Sequence, residues 1–215
     1  MQSKPRGFTL AELVLSLAIT TVIGLAVTAV AAAISNINEQ AEAYYEYLQS
    51  GRVASTKVEE LLRPALLVTA TSDSAVVVWM KDEVDIGTIN VSEVAEIYFD
   101  SSTNELLMKT TEFPDSLKTN TRSALDIDLA LSDLTSILSL DLGSGHASYD
   151  VIRVLAQNVK SFDVYPDVPA PMTTLLKFKI VIGDHGQTVT QYGAVALRAP
   201  STSKVTTSNG TYYLN

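Results

Sequence analysis

The chain has 215 residues, of which 47% are hydrophobic, with a formal net charge of -9 and no cysteine. This length suits one membrane helix and one modest globular domain rather than two large domains. The acidic balance excludes electrostatic support for a general nucleic-acid-binding role. The absence of cysteine excludes disulfides, cysteine nucleophiles and thiolate metal sites, so the domain must be held by its own core.

The first feature along the chain is a short basic leader followed by a long apolar run. Lys4 and Arg6 stand just before Gly7, and from Phe8 to Ile34 the residues are mostly apolar. A run of more than about twenty such residues can cross a hydrocarbon core about 30 Å thick. The basic flank predicts that the short N-terminal side stays cytoplasmic and that the bulk of the chain faces the periplasm or exterior.

One carboxylate, Glu12, interrupts this run in its second helical turn. An unpaired charge at membrane depth costs roughly 2.5 to 3.5 kcal/mol. The sequence therefore predicts a partner or an interfacial position for Glu12.

The stretch Lys4-Pro5-Arg6-Gly7-Phe8-Thr9-Leu10-Ala11-Glu12 resembles the processing site of type IV prepilins and of the pseudopilins of type II secretion systems. The resemblance implies a membrane prepilin peptidase that cuts between Gly7 and Phe8 and methylates the new amino group of Phe8. It also implies an assembly role for Glu12, the fifth residue of the mature chain. The implied partners are other pilins or pseudopilins in a helical filament, and an inner-membrane assembly platform with a partner ATPase.

A cut after Gly7 gives the motif a physical mechanism. The new ammonium group on Phe8 and the carboxylate of Glu12 lie four residues apart, a spacing at which side chains meet on a helix. Between chains the same two charges attract strongly in lipid, where screening is weak. We hypothesise that the Phe8 amine of one subunit pairs with Glu12 of a neighbour. The alternatives are an uncleaved signal anchor with a chance glutamate, and a secretory signal peptide, whose cleavage site would follow the apolar run.

The helix is predicted to continue beyond the membrane, from Phe8 to about Arg63, and to end at Pro64 because proline interrupts the backbone hydrogen bonds. Apolar residues recur at steps of three and four, which predicts one buried stripe. Its members are Ile34, Ile37, Ala41, Tyr44, Tyr45, Leu48, Gly51, Ala54, Val58, Leu61 and Leu62. Tyr44, Tyr45 and Tyr47 favour core packing and an interface edge over a ligand site.

After Pro64 the pattern becomes extended. Strands are predicted at 75–80, 95–100, 105–111, 150–156, 159–165, 175–182 and 188–197. Tight turns are predicted at 100–104 and 183–186, with a bend near 157–158. The stretch 123–142 fits both an alternating strand and a short helix, and both remain open.

The predicted class is therefore α+β, and the resemblance implies a pilin-like fold with a long N-terminal helix packed on an antiparallel sheet. The expected divisions are a leader at 1–7, a transmembrane half-helix at 8–35, an amphipathic half-helix at 36–63, a β-rich domain at 64–200 and a polar tail at 201–215. The run Val151 to Tyr165, with a later hairpin ending at Arg198, is loosely similar to the globular domain of J-type minor pseudopilins.

Catalytic chemistry has little support. His146 and His185 are the only histidines, and neither has the spacing of a metal site or a nucleophilic triad. Acidic residues crowd two loops, Asp82-Glu83-Asp85 and Asp100-Asn104-Glu105, without the ligand spacing of an EF-hand. The resemblance leaves calcium there as an alternative to solvated loops, and no cofactor is otherwise expected.

Three functions from different classes remain open: a structural pilin or pseudopilin subunit, a DNA-binding pilin-like component of a natural-transformation apparatus, and a membrane-anchored enzyme. The sequence favours the first and predicts no enzyme. It leaves open whether the filament is a secretion pseudopilus or a pilus, and whether the subunit is major or minor.

Overall fold

The computed structural model describes residues 9–83, 88–131, 147–184, 186–197, 205–208 and 211–214. It combines a long apolar helix near the N-terminus with antiparallel β-sheets, which confirms the predicted α+β class. The chain divides into two compact units, Met1–Tyr45 and Glu46–Asn215.

Helix α1 spans Leu10–Leu62, 53 residues. The predicted long helix is therefore confirmed over the described residues, while its expected first residue, Phe8, lies outside them. The helix ends at the predicted place: the Arg63 backbone N–H still donates to the Glu59 carbonyl at 2.9 Å. Pro64 follows, and it has no N–H with which to continue the ladder.

The predicted stripe along α1 is buried only in its last part. Within the second unit the buried helix residues are Gly51, Ala54, Ser55, Val58 and Leu62. Ile34 and Ile37, in the first unit, are 54% and 63% exposed. The prediction of burial was wrong there, because periodicity shows that a helix has an apolar face without showing what covers it.

The second unit contains twelve described strands in four antiparallel sheets. They are β1 (Leu67–Thr71), β2 (Ala75–Trp79), β3 (Ile89–Asn90), β4 (Val94–Asp100), β5 (Glu105–Thr111), β6 (Asp128–Leu129), β7 (Asp150–Ala156), β8 (Val159–Pro166), β9 (Leu175–Asp184), β10 (Gln187–Ala196), β11 (Val205–Ser208) and β12 (Thr211–Leu214). The sheet orders are β1-β2-β4-β5-β7, β10-β9-β8, β3-β6 and β11-β12. A short helix α2 (Thr119–Leu125) and two 3-10 turns (Val91–Glu93 and Ala147–Tyr149) complete the described elements.

The seven predicted strands are confirmed to within two residues at each end, and β1, β3, β6, β11 and β12 were missed. In the stretch that remained open, 123–142, the structure places the end of α2 and then β6. The part from 132 lies outside the described residues. Strand β6 was hard to predict because only two residues of it pair with β3.

Two predicted chain reversals are confirmed by residues with positive φ. Asn104 (φ 56°) ends the turn between β4 and β5, and Asn158 (φ 57°) lies in the turn between β7 and β8. Asparagine tolerates this left-handed region better than most residues. In the first turn Asp100 accepts hydrogen bonds from the Ser102 backbone N–H and hydroxyl at 2.8 and 2.7 Å. In the turn at 183–186, His185 lies outside the described residues.

The main core packs the end of α1 against the two larger sheets. Val58 and Leu62 meet side chains such as Ile97 from the first sheet and Phe178 from the second, all at most 1% exposed. Full burial of one such side chain contributes roughly 1.5 to 3 kcal/mol. Gly193 is required for this packing, because a Cβ there would lie 2.1 Å from Cζ of Phe178.

A second core covers the other face of the first sheet. Trp79 and Ile89, both fully buried, are packed with Val205 of β11, and Tyr212 and Leu214 of β12 cover them. The polar tail predicted at 201–215 therefore contains a hairpin that closes this core. This hairpin was missed at the sequence level because the segment is rich in serine and threonine and only a few of its residues are apolar and contact the core.

Candidate functional site

The predicted assembly residue, Glu12, lies in the first turn of α1, where it forms a capping box with Thr9. The Thr9 backbone N–H and hydroxyl both donate to Oε2 of Glu12 at 2.9 Å. In return, the Glu12 backbone N–H donates to the Thr9 hydroxyl oxygen at 3.3 Å. This reciprocal arrangement satisfies backbone donors that a helix start leaves without intrahelical partners. Glu12 thus has a structural role at the helix start, and its assembly role stays a prediction.

The other two predicted site residues, Gly7 and Phe8, lie outside the described residues. The structure therefore brings together Glu12 and Thr9, and the role of Thr9 was missed at the sequence level. The signal was present, because a threonine followed three residues later by glutamate before an apolar run is the signature of a capping box. Within the described residues, both contacts to the Glu12 side chain use Oε2, and Oε1 has no donor.

The helix around Glu12 exposes an unusually apolar surface. Every residue from 9 to 42 is exposed, including Leu10 at 83% and Leu25 at 67%. Soluble proteins rarely leave so large an apolar surface in water. By length and composition, α1 is the one described helix that could cross a membrane, and it lies near the N-terminus.

Hydroxyl groups within this apolar segment are satisfied by the helix itself. Ser16, Thr20 and Thr28 donate to the carbonyls of Glu12, Ser16 and Gly24 at 2.7 to 2.8 Å. Such bonds remove the cost of placing a hydroxyl in lipid, where no water can replace them. Glu12, Ser16, Thr20, Gly24 and Thr28 follow one another at steps of four and form one slowly winding ridge of polar and small residues.

The acidic loops considered for calcium have partners of their own. Asp100 is held by Ser102, and these hydrogen bonds lower the pKa of Asp100 below its usual value. Glu83 forms an ion pair with Lys81 at 2.9 Å. Among the described residues no group of three or more metal-ligating side chains occurs. Asp85, His146 and His185 lie outside the described residues.

A buried carboxylate that the sequence analysis missed, Glu93, is 1% exposed. Its Oε2 accepts from the Trp79 indole N–H at 3.2 Å, and its Oε1 accepts from the Glu83 backbone N–H at 2.6 Å. A buried carboxylate is stable only when hydrogen bonds replace its water. Glu93 therefore ties the end of β2 to the segment that follows it, which is a structural role.

These features define a class of protein: an antiparallel β-sheet domain that follows one long apolar helix able, by length and composition, to cross a membrane. Comparison with protein-family models, with curated proteins and with solved structures gave no match.

Proposed function

We propose that the chain is a pilin-like structural subunit, a pseudopilin or minor pilin, of a type II secretion pseudopilus or type IV pilus. In this proposal a prepilin peptidase cuts after Gly7 and methylates Phe8. The mature chain is held by α1 in the inner membrane, with the β-domain in the periplasm or outside the cell. An assembly platform with a partner ATPase then moves it into a filament.

One observation carries the proposal: the run Arg6-Gly7-Phe8 stands immediately before the capped start of α1, whose apolar surface is uncovered. A secretory signal peptide would place its cut after the apolar run. A cut before it keeps the whole apolar helix in the mature chain. Such a helix can cross the bilayer first and pack with its neighbours in the filament afterwards.

Glu12 supplies the proposed contact between subunits. Thr9 holds Oε2 of its carboxylate, and Oε1 is then directed to the ammonium group of Phe8 of a neighbouring chain. In lipid an ion pair of this kind relieves the roughly 2.5 to 3.5 kcal/mol cost of an unpaired charge. Each subunit carries one such amine and one such carboxylate, so the pairing propagates along a filament.

The β-domain supports the proposal less directly. A long helix followed by an antiparallel sheet is the order that the resemblance implies, and the last turns of α1 form part of the core of the second unit. The uncovered residues Ile37 and Tyr45 extend the apolar surface beyond the predicted membrane half-helix at 8–35. Packing against other subunits would cover them.

The experiment is mass spectrometry of the chain after coexpression with a prepilin peptidase. We expect the mature protein to lack Met1 to Gly7 and to carry one methyl group on Phe8. Gly7→Leu should stop the cut, whereas Ser3→Ala, a leader substitution away from the cut, should leave it intact. A mature, functioning protein that still carries Met1 to Gly7 would contradict the proposal.

A further inference from the structure

The five-stranded sheet ends differently at its two edges. At one edge, Leu67, Val68, Thr69 and Ala70 of β1 are at most 1% exposed, so that edge is covered. At the other edge, β7 pairs with β5, and no described strand lies beyond it. Strand β7 is therefore the edge that can accept another strand.

The register of β7 shows which of its peptide groups face outward. The Glu112 N–H donates to the Tyr149 carbonyl at 2.9 Å, and the same register continues into β5 and β7. Hydrogen-bonded pairs alternate along an antiparallel ladder, so Val151 and Arg153 bond to β5. The peptide groups of Asp150, Ile152 and Val154 consequently point away from the sheet.

The part of this edge from Asp150 to Val154 has little of the usual protection against pairing, because the bulge of β7 lies beyond it, at Leu155. Strand β7 contains no proline or glycine. Both of its charged side chains form ion pairs. Asp150 pairs with Lys109 of β5 at 3.0 Å, and Arg153 pairs with Glu112, which directly follows β5. Ile152 and Val154 are 55% and 46% exposed. Exposed β-branched residues on an edge with compensated charges are typical of a strand-pairing site.

There is also room beside the strand. An open groove of about 540 Å³ runs between the end of β7 and a stripe of α1 that includes Ser50, Val53 and Lys57. The Lys57 ammonium group donates a hydrogen bond to the Leu155 carbonyl at 3.3 Å. This bond connects the α1 side of the groove to the end of β7.

We propose that β7 pairs antiparallel with β7 of a second copy of this chain, with the two-fold axis at Ile152. This register sets Ile152 opposite Ile152 and Asp150 opposite Val154, and it uses all three outward-facing residues of each copy. A register centred on Arg153 would place two like charges face to face, and one centred on Val151 would leave Val154 opposite Ser148. Two-fold pairing is the commonest symmetry of self-association.

A second copy is favoured over an unrelated strand because the edge is self-complementary. Each copy brings the same alternation of outward peptide groups, the same exposed β-branched pair and charges that are satisfied within its own sheet. The pairing requires neither cleavage after Gly7 nor a filament. Its test therefore stands or fails separately from the proposed function.

The lack of cysteine makes cross-linking a direct test. Full-length Ile152→Cys, purified in detergent and treated with a short bismaleimide, should yield at least fivefold more covalent dimer than Tyr192→Cys. Tyr192 is the matched control because it is more exposed, at 74%, and lies on β10 of the other sheet. Equal yields from the two variants, or no dimer from Ile152→Cys, would overturn the proposal.

A second substitution tests the strand pairing itself. Val154→Pro in the Ile152→Cys background removes an outward N–H and leaves the hydrogen bonds to β5 in place. We expect at least fivefold less cross-linked dimer with an unchanged circular dichroism spectrum. Val154→Lys, which adds an edge charge, replaces the proline variant if the latter alters the spectrum. Undiminished cross-linking in the folded variant would overturn the proposal.

Discussion

At the residue scale, Glu12 has one observed role and one proposed role, and a single substitution would change both. Its carboxylate accepts two hydrogen bonds from Thr9 at the start of α1. We propose that the same carboxylate binds the Phe8 amine of a neighbouring subunit. A capping role needs the Thr9 hydroxyl as well as the carboxylate, whereas an assembly role needs the carboxylate alone. Thr9 is therefore the natural comparison for Glu12.

We predict that Glu12→Ala and Thr9→Val both weaken the helix start, by about 0.5 to 2 kcal/mol, but that only Glu12→Ala blocks assembly. Thr9→Val keeps the carboxylate and should be cut and assembled nearly as well as the parent chain. The measurement is the amount of subunit in the sheared filament fraction, with cleavage checked by mass. Equal loss of filaments in both variants would show that Glu12 acts through helix capping and would contradict its proposed role in assembly.

Asp167 offers a second prediction at this scale. A hydrogen bond from the Thr174 hydroxyl, 2.6 Å from Oδ2, is the main cause that lowers the pKa of Asp167 to about 2. Because this pKa is lower in the folded state, the resulting stability is present above about pH 3.8 and is lost as pH falls toward 2. Thr174→Val should raise the pKa of Asp167 toward 3.8, measured by carboxyl NMR titration. Thr188→Val, an exposed control, should leave it unchanged.

At the element scale, the apolar part of α1 is organised by its ridge of small and hydroxyl residues. The hydroxyls bond to the helix's own carbonyls, so the ridge presents small, satisfied groups. Gly24 lies on this ridge between Thr20 and Thr28, and a Cβ there would meet nothing within 4 Å in the single chain. Small residues at such positions let two helices approach closely in a membrane or a helical core.

We predict that Gly24→Leu reduces filament yield on the order of tenfold, the factor given by about 1.4 kcal/mol of lost packing. Val22→Leu is the matched control, since Val22 is also exposed, at 66%, and lies on the opposite side of the helix. It should leave the yield nearly unchanged. Equal effects from both would show that the ridge is not a contact face.

At the scale of the whole molecule, the last residues of the chain close the domain. Val205 is 5% exposed in the core that contains Trp79, whereas the adjacent Thr206 is exposed. The stability of the β-domain therefore depends on a segment far along the chain from the strands that it covers.

We predict that Val205→Ala lowers the free energy of unfolding by about 1.5 to 2.5 kcal/mol, from two lost methyl groups and a partly filled cavity. Thr206→Ala, its exposed neighbour, should change it by no more than about 0.5 kcal/mol. Denaturant titration in detergent, followed by the fluorescence of the single tryptophan, Trp79, measures both. Similar small effects would mean that the hairpin does not contribute to this core.

The sequence by itself determined the elements whose signals are local. The apolar run and Pro64 set the extent of α1. Extended stretches rich in β-branched and other apolar residues located β2, β4, β5 and β7 to β10, and polar turn residues located the reversals at Asn104 and Asn158. The site was accessible in the same way, because Glu12 and Thr9 lie within one helical turn. Only the tertiary structure decided which residues are covered. Burial of β1, pairing of β3 with β6, closure by Val205 and exposure of Ile37 and Ile152 all depend on residues distant in sequence, and no local periodicity records what lies across from a side chain.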